Sequence, residues 1–407
     1  MPKILTYIFL FIALYIEIFF LITYFEFRKK EKSTKTKIFK KLPSVSVIVP
    51  VWNEEKTVLK TIFSLLNLNY PKNKLFIFIV DDGSTDKTWN VLQRFKNHKQ
   101  IKIFKKENGG KYTALNHALK YIDTDLVGCL DADSFVHPEA LQRIVSRFED
   151  PEIMAVTPSI KVFEPKGFLG LIQKAEYILG IFLRKVLHNL DAIYITPGPL
   201  SIFRRSVFEK LGSYRHAHNT EDIEIAMRMQ KNNMRISNAH NAYIYTVAPN
   251  NLKVLLKQRL RWVYGFIKNA LDYKELFFKP QHSHLGLIVL PAAGFSIFAT
   301  LYFFIMRIYS AIENMILKVK EIYTIGFHFN SFNIDLFYFN TSIIIFISMI
   351  AISGVFLTIM VSRYLAEEKT KFGFDSILFL IFYTFLSPIW MIWALYNLVT
   401  SKSSKWR

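Results

Sequence analysis

Four apolar segments, each long enough to cross a lipid bilayer as a helix, lie at the two ends of this chain and constrain its fold more than any other feature. They are Ile4–Phe25 near the amino terminus and Leu285–Met306, Ser342–Val361 and Ser376–Val399 towards the carboxyl terminus. A helix needs about 20 apolar residues to span the hydrocarbon core. The sequence therefore predicts a membrane protein in which helices at both ends enclose a water-exposed central domain.

A basic cluster follows the first apolar segment, formed by Arg28, Lys29, Lys30 and Lys32. Positively charged flanks stay on the cytoplasmic side of membrane helices, so the cluster predicts an uncleaved anchor with its amino terminus outside and the central domain in the cytosol. A cleaved signal peptide is the alternative, but no small-residue cleavage site is present. The net charge of +20 suits nucleic acid as well as a membrane surface. Because it stands beside apolar spans in a chain with 51 % hydrophobic residues, we expect contact with anionic membrane lipids and no nucleic-acid partner.

The carboxyl-terminal part presents a conflict in topology. With a cytosolic central domain, three further spans place the basic tail Lys402–Arg407 outside, against the positive-inside tendency. Either a span is missing from this count or one segment lies in the membrane interface, and both alternatives stay open. The aromatic segment Phe327–Phe339 is broken by polar residues and is predicted to be a loop or a re-entrant piece.

The central domain alternates short apolar runs with helical patterns. The predicted strands are Val45–Pro50, Leu75–Val80, Ile101–Phe104 and Leu126–Leu130, with Met154–Thr157 as a further candidate. Helical periodicity is found in Thr57–Leu66 and Thr88–Phe95. This order is typical of βαβ units in an α/β fold with a doubly wound sheet. The single cysteine, Cys129, lies inside an apolar run, which excludes an intrachain disulfide and predicts a small core residue.

Two carboxylates, Asp131 and Asp133, directly follow the strand Leu126–Leu130. In open α/β sheets, ligands bind beyond the carboxyl ends of the strands. Carboxylates this close repel one another unless a positive charge sits between them, and Mg²⁺ binds through one or two carboxylates plus substrate phosphates. The pattern therefore predicts a metal–phosphate site, although a solvated loop with two surface acids is the alternative for these residues alone.

Other polar groups follow the neighbouring strands. Asp81 and Asp82 come after the second strand, and Asn53 and Glu55 come after the first. A turn with helix capping is the structural alternative for the acids. Lys111 follows two glycines at the start of a helix, which is a plausible anion site or a plain surface turn.

Three more candidate motifs follow further along the chain. They are the Pro-Gly loop Pro197–Ser201, the T-E-D sequence Thr220–Asp222, and Gln258, Arg261 and Trp262 on a basic helix. The last three residues are spaced i, i+3 and i+4 and share one face. Acids at a helix start also suit the helix dipole, and a basic helix with Trp also suits a membrane surface, so each motif alone has a structural alternative.

In this order and spacing, the motifs resemble those of the membrane-embedded family-2 glycosyltransferases, which include hyaluronan and cellulose synthases, poly-N-acetylglucosamine synthases and ceramide glucosyltransferases. The resemblance covers about Pro43–Ala270. It implies a GT-A-like fold for residues 43–250, after an anchor (1–27) and a basic linker (28–42). Interfacial helices (251–284), carboxyl-terminal membrane helices (285–400) and a basic tail (401–407) then follow.

The resemblance also implies a role for each candidate residue. The nucleotide-binding set comprises Asn53, Glu55, Asp81, Asp82, Lys111 and Asp131. Asp131 and Asp133 are the implied ligands of Mg²⁺ or Mn²⁺. The implied catalytic set comprises Gln258, Arg261, Trp262, Glu221 and Asp222, with Asp222 as the general base.

The implied reaction is the inverting, metal-dependent transfer of a sugar from a nucleotide-diphosphate sugar, expected to be a UDP-sugar, to a growing polysaccharide at the cell membrane. The single predicted amino-terminal span and the odd carboxyl-terminal count favour a second hypothesis as well. In that hypothesis, one transfer makes a glycolipid or a polyprenyl-phosphate sugar. A third hypothesis, from another class, is a non-catalytic basic membrane adaptor, which leaves the acids at the strand ends unexplained.

Overall fold

The computed structural model describes residues 2–31, 42–326 and 343–400. The strands are β1 (Val45–Val51), β2 (Leu75–Asp82), β3 (Ile101–Lys106), β4 (Leu126–Cys129), β5 (Ser134–Val136), β6 (Ile153–Val162), β7 (Ser201–Arg204) and β8 (Arg235–Thr246). The α-helices are α1 (Pro2–Glu31), α2 (Val58–Leu66), α3 (Thr88–Leu92), α4 (Lys111–Leu119), α5 (Ala140–Val145), α6 (Gly167–Asn189), α7 (Arg205–Leu211), α8 (Glu221–Lys231), α9 (Leu252–Asp272), α10 (Leu290–Ile325), α11 (Ile343–Leu365) and α12 (Phe374–Val399).

The central domain is built on one mixed sheet with the strand order β3-β2-β1-β4-β7-β6-β8-β5. Strands β1 to β4 are mutually parallel where they pair, whereas β7 runs antiparallel to both β4 and β6. The carboxyl ends of β1, β2 and β4 therefore meet at one edge of the sheet, as the βαβ pattern predicts. The sheet is mixed because β7 reverses direction after the Pro-Gly loop.

Helices cover both faces of the sheet. Alternate residues of β1 point to opposite faces, so Ile48 belongs to one core and Val47 and Val49 belong to the other. Cys129 is buried in the first of these cores, in agreement with its prediction as a small core residue.

Several elements differ from the sequence pattern. The second strand extends through Asp82, so both acids are the last residues of β2 rather than part of the following loop. Strands β5, β7 and β8 were not predicted. β5 has only three residues, and β8 carries polar residues on both faces, so neither shows a clean alternation.

Four helices are long and apolar enough to span a membrane: Ile4–Arg28, Leu285–Ile325, Ile343–Leu365 and Phe374–Val399. The second continues well past the predicted end at Met306. The prediction of membrane helices on both sides of the domain is confirmed by length and composition. The linker at 32–41, the aromatic segment at 327–339 and the tail at 401–407 lie outside the described residues.

Helix α6 lies between the sheet and the membrane helices. It contacts β6 and β8 on one side and α1, α11 and α12 on the other. The turn between α11 and α12 is also tied to the domain, because the Tyr243 hydroxyl donates to the Leu365 carbonyl at 3.0 Å and Lys174 pairs with Glu368 at 2.7 Å. Inside that turn, a buried ion pair joins Arg363 and Asp375 at 2.8 Å.

Candidate active site

The loop that precedes α4 is organised by Asp82. Its carboxylate accepts hydrogen bonds from the Lys106 ammonium at 2.5 Å and from the backbone N–H groups of Gly109 (3.1 Å) and Gly110 (2.8 Å). Gly110 has φ of +91°, a conformation that favours glycine. Because the Asp82 side chain is only 2 % exposed, its contacts are with the loop that carries Lys111. That loop lies at the sheet edge where the carboxyl ends of β1, β2 and β4 meet, which we call the cleft.

Asp81 has different surroundings. One carboxylate oxygen accepts from the Ser84 backbone N–H at 3.0 Å, whereas the buried Oδ2 atom has no hydrogen-bond partner among the described residues. An unpaired buried acceptor is costly and calls for a donor. Asp81 therefore fits the predicted nucleotide contact better than Asp82 does.

Asn53 and Glu55 join two neighbouring loops at the same edge of the sheet. The Asn53 side-chain oxygen accepts from the backbone N–H of Thr85 at 2.8 Å, and the Glu55 carboxylate accepts from the backbone N–H of Lys87 at 3.0 Å. These contacts hold the loop after β1 against the loop after β2. Both residues thus support the predicted nucleotide-binding edge through the backbone around them.

The centre of the cleft is an ion-pair cluster around Lys111. Its ammonium lies 2.7 Å from Asp131 Oδ1 and 3.0 Å from Glu221 Oε1, and the side chain is 15 % exposed. Burial opposes the charged form, but the carboxylates of Asp131 and Glu221 outweigh it and raise the pKa of Lys111 well above its usual value. Three residues from distant parts of the sequence therefore meet as one charged group.

The Pro-Gly loop closes over this cluster. A Cβ atom on Gly198 would lie 2.6 Å from Lys111 Nζ and 2.7 Å from Asp131 Oδ2, so only glycine allows the observed approach. The same loop is tied to the T-E-D segment, because Thr196 donates to the Asp222 carbonyl from its backbone N–H (3.0 Å) and its hydroxyl (2.9 Å). The loop therefore sets the distance between Asp131, a predicted metal ligand, and the T-E-D acids Glu221 and Asp222.

The two acids of the T-E-D segment have opposite electrostatic surroundings in the first turn of α8. Although burial raises the pKa of Glu221, the neighbouring Lys111 ammonium outweighs it and keeps the pKa below the usual value. Burial and the charge of Glu221 raise the pKa of Asp222 to about 6. Glu221 is thus held as a paired anion, whereas Asp222 is the better proton acceptor of the two.

The helix α9 presents Gln258, Arg261 and Trp262, all half-buried, beside the T-E-D segment. Arg261 Nη1 donates to the Asn219 carbonyl at 3.1 Å. The other two surround Arg259: the Gln258 side-chain oxygen accepts from Arg259 Nη1 at 3.1 Å, and the guanidinium carbon lies 4.1 Å from the Trp262 ring centroid. The sequence predicted that these three side chains share one helix face. In the structure, Arg261 contacts the turn at Asn219, whereas Gln258 and Trp262 contact Arg259.

Arg259 is a buried residue whose role was missed from the sequence. It is 3 % exposed and pairs with Glu176 of α6 at 2.7 Å. The other Glu176 oxygen accepts from the Tyr383 hydroxyl of α12 at 2.9 Å. The network Arg259–Glu176–Tyr383 thus connects the motif helix to an apolar helix of membrane-spanning length, and only its tertiary contacts reveal it.

The two predicted metal ligands, Asp131 and Asp133, have different contacts. Asp131 belongs to the Lys111 cluster, whereas Asp133 Oδ1 accepts a hydrogen bond from the Ser134 hydroxyl at 3.3 Å. No group of three or more His, Cys, Asp or Glu side chains within the described part of the chain could hold a metal ion by itself. The two carboxylates fit a divalent cation that takes its remaining ligands from a diphosphate and water.

A cavity of about 520 Å³ borders the turn before the T-E-D segment. Its walls include Ala217, His218, Glu224 and Asn269, and none of the predicted catalytic residues lines it. Two residues of the turn before the T-E-D segment, Ala217 and His218, therefore border open space.

Comparisons with known proteins identify the class of fold. Over 97 % of this chain and 99 % of the other, the structure matches a mannosyltransferase from Pyrobaculum calidifontis, solved in complex with GDP-Man and Mn²⁺, with a TM-score of 0.61 and 18 % sequence identity. At that identity the likeness concerns the fold alone. The predicted GT-A-like fold with flanking helices is confirmed.

Residues 46–212 match the model of glycosyl transferase family 2, so this chain contains a family 2 glycosyltransferase domain. The prediction of that family, and of a glycosyltransferase, is confirmed at the level of this domain.

The chain is also 29 % identical over 265 residues to the poly-β-1,6-N-acetyl-D-glucosamine synthase of Staphylococcus epidermidis, across 63 % of this chain and 64 % of that protein. The synthase of the same name in Staphylococcus aureus (strain COL) is 32 % identical over 227 residues, which is 55 % of each protein. The matched region is thus less than two thirds of the length of these relatives.

Proposed function

We propose that this protein is an inverting, metal-dependent glycosyltransferase that extends a polysaccharide at the cytosolic face of the cell membrane. The observation that supports it most directly is that the acids in the cleft differ in charge environment. Lys111 forms ion pairs with Glu221 and Asp131, whereas the pKa of Asp222 is raised to about 6, which suits a proton acceptor. The names of the relatives suggest an N-acetylglucosamine polymer as product, and the resemblance of the motifs implies a UDP-sugar as donor.

In the proposed reaction, an acceptor hydroxyl oxygen attacks the anomeric carbon of the donor sugar. The bond from that carbon to the nucleotide diphosphate breaks, and the hydroxyl proton passes to the Asp222 carboxylate. A single displacement inverts the anomeric centre and requires no covalent sugar–enzyme intermediate, so no nucleophilic side chain is needed. The nucleotide diphosphate leaves with its electron pair.

The remaining residues bind and orient the donor. Lys111 and Arg261 are cations beside the cleft that would offset the growing negative charge of the diphosphate. Asp131 and Asp133 would hold Mg²⁺ or Mn²⁺, which supplies further charge neutralisation when bound. The unpaired Asp81 Oδ2 would accept a hydrogen bond from an N–H group of the nucleotide base.

A second candidate is a single transfer to a lipid phosphate, and one observation favours it. Arg184 of α6 has two buried guanidinium nitrogens, Nε and Nη2, without hydrogen-bond partners in the described part of the chain. It lies over Gly180, on the helix that separates the domain from the membrane helices. An unpaired cation there suits an anionic acceptor such as a polyprenyl phosphate better than a neutral glycan.

A donor screen with product sizing separates these candidates. The full-length protein in liposomes with Mn²⁺ is incubated with labelled UDP-N-acetylglucosamine and other nucleotide sugars, with and without a polyprenyl phosphate. Long products without added lipid support the polysaccharide synthase, whereas one sugar per lipid supports the alternative. Absence of metal-dependent transfer from every nucleotide sugar would favour the non-catalytic membrane adaptor.

Replacement of the proposed base tests the mechanism. Asp222→Asn removes the proton acceptor without changing the shape of the side chain, so transfer should fall by about 10²- to 10⁴-fold while donor binding survives. Equal loss of donor binding in this variant would withdraw the base assignment from Asp222.

A further inference from the structure

The turn that leads into the T-E-D segment has an unusual backbone. Ala217, His218 and Asn219 have φ values of 46°, 55° and 63°, so three consecutive non-glycine residues lie in the left-handed region. Such residues persist only where surrounding contacts hold them. The cavity of about 520 Å³ borders Ala217 and His218, so the contacts that hold the turn must come from its other sides.

Those contacts come from one face of α9. Arg261, Gly265 and Asn269 are spaced four residues apart and therefore lie on the same side of the helix. Arg261 donates to the Asn219 carbonyl at 3.1 Å, and Asn269 Nδ2 donates to Thr220 Oγ1 at 2.9 Å. The helix α9 thus holds the turn by hydrogen bonds to two consecutive residues, Asn219 and Thr220.

Gly265 allows the close approach between these contacts. A Cβ atom at this position would lie 2.4 Å from both Thr220 Oγ1 and Thr220 Cγ2, so no larger residue fits without moving the threonine. Asn269 is fully buried, and its nitrogen also donates to the Gly265 carbonyl at 2.8 Å. The two residues therefore form one socket for Thr220.

Thr220 determines where the T-E-D acids lie. It occupies the N-cap position of α8, but its hydroxyl donates to the Ala217 carbonyl at 2.9 Å and makes no side-chain cap. Its own carbonyl accepts the first helical hydrogen bonds, from Ile223 (3.1 Å) and Glu224 (3.2 Å). A displacement of Thr220 thus moves the first turn of α8, which carries Asp222.

We propose that Asn269 and Gly265 are positioning residues that hold Asp222 in its catalytic place through Thr220. This inference rests on the proposed function of Asp222 as general base. Because Arg261 lies on the same helix face, α9 holds the base-bearing turn and presents a diphosphate-binding arginine as one rigid unit. A misplacement of about 1 Å can cost about 10²-fold in rate, so loss of the socket should lower kcat strongly.

A double-mutant cycle on the full-length protein in liposomes tests the hydrogen bond. Asn269→Leu and Thr220→Val should each lower kcat by about 10- to 100-fold and leave the KM for the donor within about twofold, because neither residue touches the donor. Thr220→Val also removes the hydrogen bond to the Ala217 carbonyl, so it should be the slower single variant. The double variant should be no slower than Thr220→Val, because the Asn269–Thr220 bond is already absent there. Independent, multiplicative losses or a rise in KM without a fall in kcat would overturn the proposal.

Gly265→Ala tests the close approach, with Gly294→Ala as the matched control. Both glycines lie in helices, where alanine is intrinsically more stable, but a Cβ on Gly294 meets nothing within 4 Å. Only the change at Gly265 should reduce kcat. Equal rates for the two variants would contradict the socket.

Hydrogen exchange separates this inference from the proposed function. In Asn269→Leu, the backbone amides of Ile223 and Glu224 should exchange at least tenfold faster than in the unmodified protein, because their acceptor is no longer held. This readout requires no activity, so unchanged exchange refutes the positioning role even if every nucleotide sugar fails as donor. Faster exchange without any transfer by the unmodified protein would instead reject the catalytic assignment that the inference rests on.

Discussion

The glycine of the Pro-Gly loop provides the sharpest test of the cleft geometry. Gly198→Ala adds one methyl group at the point where the loop covers the Lys111–Asp131 pair. The added Cβ would lie 2.6 Å from Lys111 Nζ and 2.7 Å and 2.8 Å from the two Asp131 carboxylate oxygens. The backbone of Gly198 is not in the left-handed region, so alanine itself is conformationally acceptable there.

The size of the effect follows from these distances. Ordinary van der Waals contact begins at 3.4 Å, so the nearest atom, Lys111 Nζ at 2.6 Å, must retreat by 0.8 Å (3.4 − 2.6), the Asp131 oxygens must retreat by slightly less, or the loop must move away by that amount. Each of these movements breaks the 2.7 Å pair between Lys111 and Asp131 or separates the loop from Asp222, to which it is bonded through Thr196. For a displacement approaching 1 Å, we expect a loss of about 10²-fold in kcat/KM.

The assay combines transfer rate, donor affinity and thermal stability. Because both displaced groups are ends of side chains in a half-buried cleft, unfolding temperature should change by no more than a few degrees while transfer collapses. Gly294→Ala, in which the new methyl group meets nothing within 4 Å, is the control. If Gly198→Ala transfers sugar at the unmodified rate, the cluster around Lys111 is not where the donor diphosphate binds.

Three further outcomes are expected. Because burial and Glu221 raise the pKa of Asp222 to about 6, kcat/KM should fall as pH drops through about 6; a fall only near pH 4 would mean that the raised pKa does not control the reaction. Chelation should abolish transfer and Mn²⁺ or Mg²⁺ should restore it; full activity after chelation would remove the metal role of the paired carboxylates. Glu176→Gln leaves the buried Arg259 without a carboxylate partner and should destabilise the protein by about 3 kcal/mol. The control Glu275→Gln, at an exposed ion pair, should change stability very little, and similar melting temperatures for the two variants would contradict the network.

Local patterns were sufficient for the parts of the site that depend on strand ends. Asp81 and Asp131 could be assigned to one edge because apolar runs of four to eight residues, separated by helices, form parallel strands whose carboxyl ends coincide. The membrane helices were equally accessible, since length and hydrophobicity alone decide whether a helix can span a bilayer.

Local patterns failed where an element has no periodicity of its own. Strand β8 carries buried polar residues such as Asn238, whose amide nitrogen is satisfied by the Thr157 carbonyl at 3.0 Å on the neighbouring strand. Its hydrophobic alternation is therefore weak, and its neighbours stabilise it. The same reason explains β5, a three-residue strand that exists only because it pairs with β8.

The sequence by itself determined that acids would stand at the carboxyl edge of a sheet between membrane helices, because chain-local hydrophobicity encodes strands and spans. Only the tertiary structure decided which acid is paired and which can take a proton. The charges of Glu221 and Asp222 are set by one another and, through space, by Lys111, which lies more than 100 positions away in the sequence. Likewise, the need for glycine at 198 and 265 arises from contacts with distant residues, which leave no signature in the neighbouring letters.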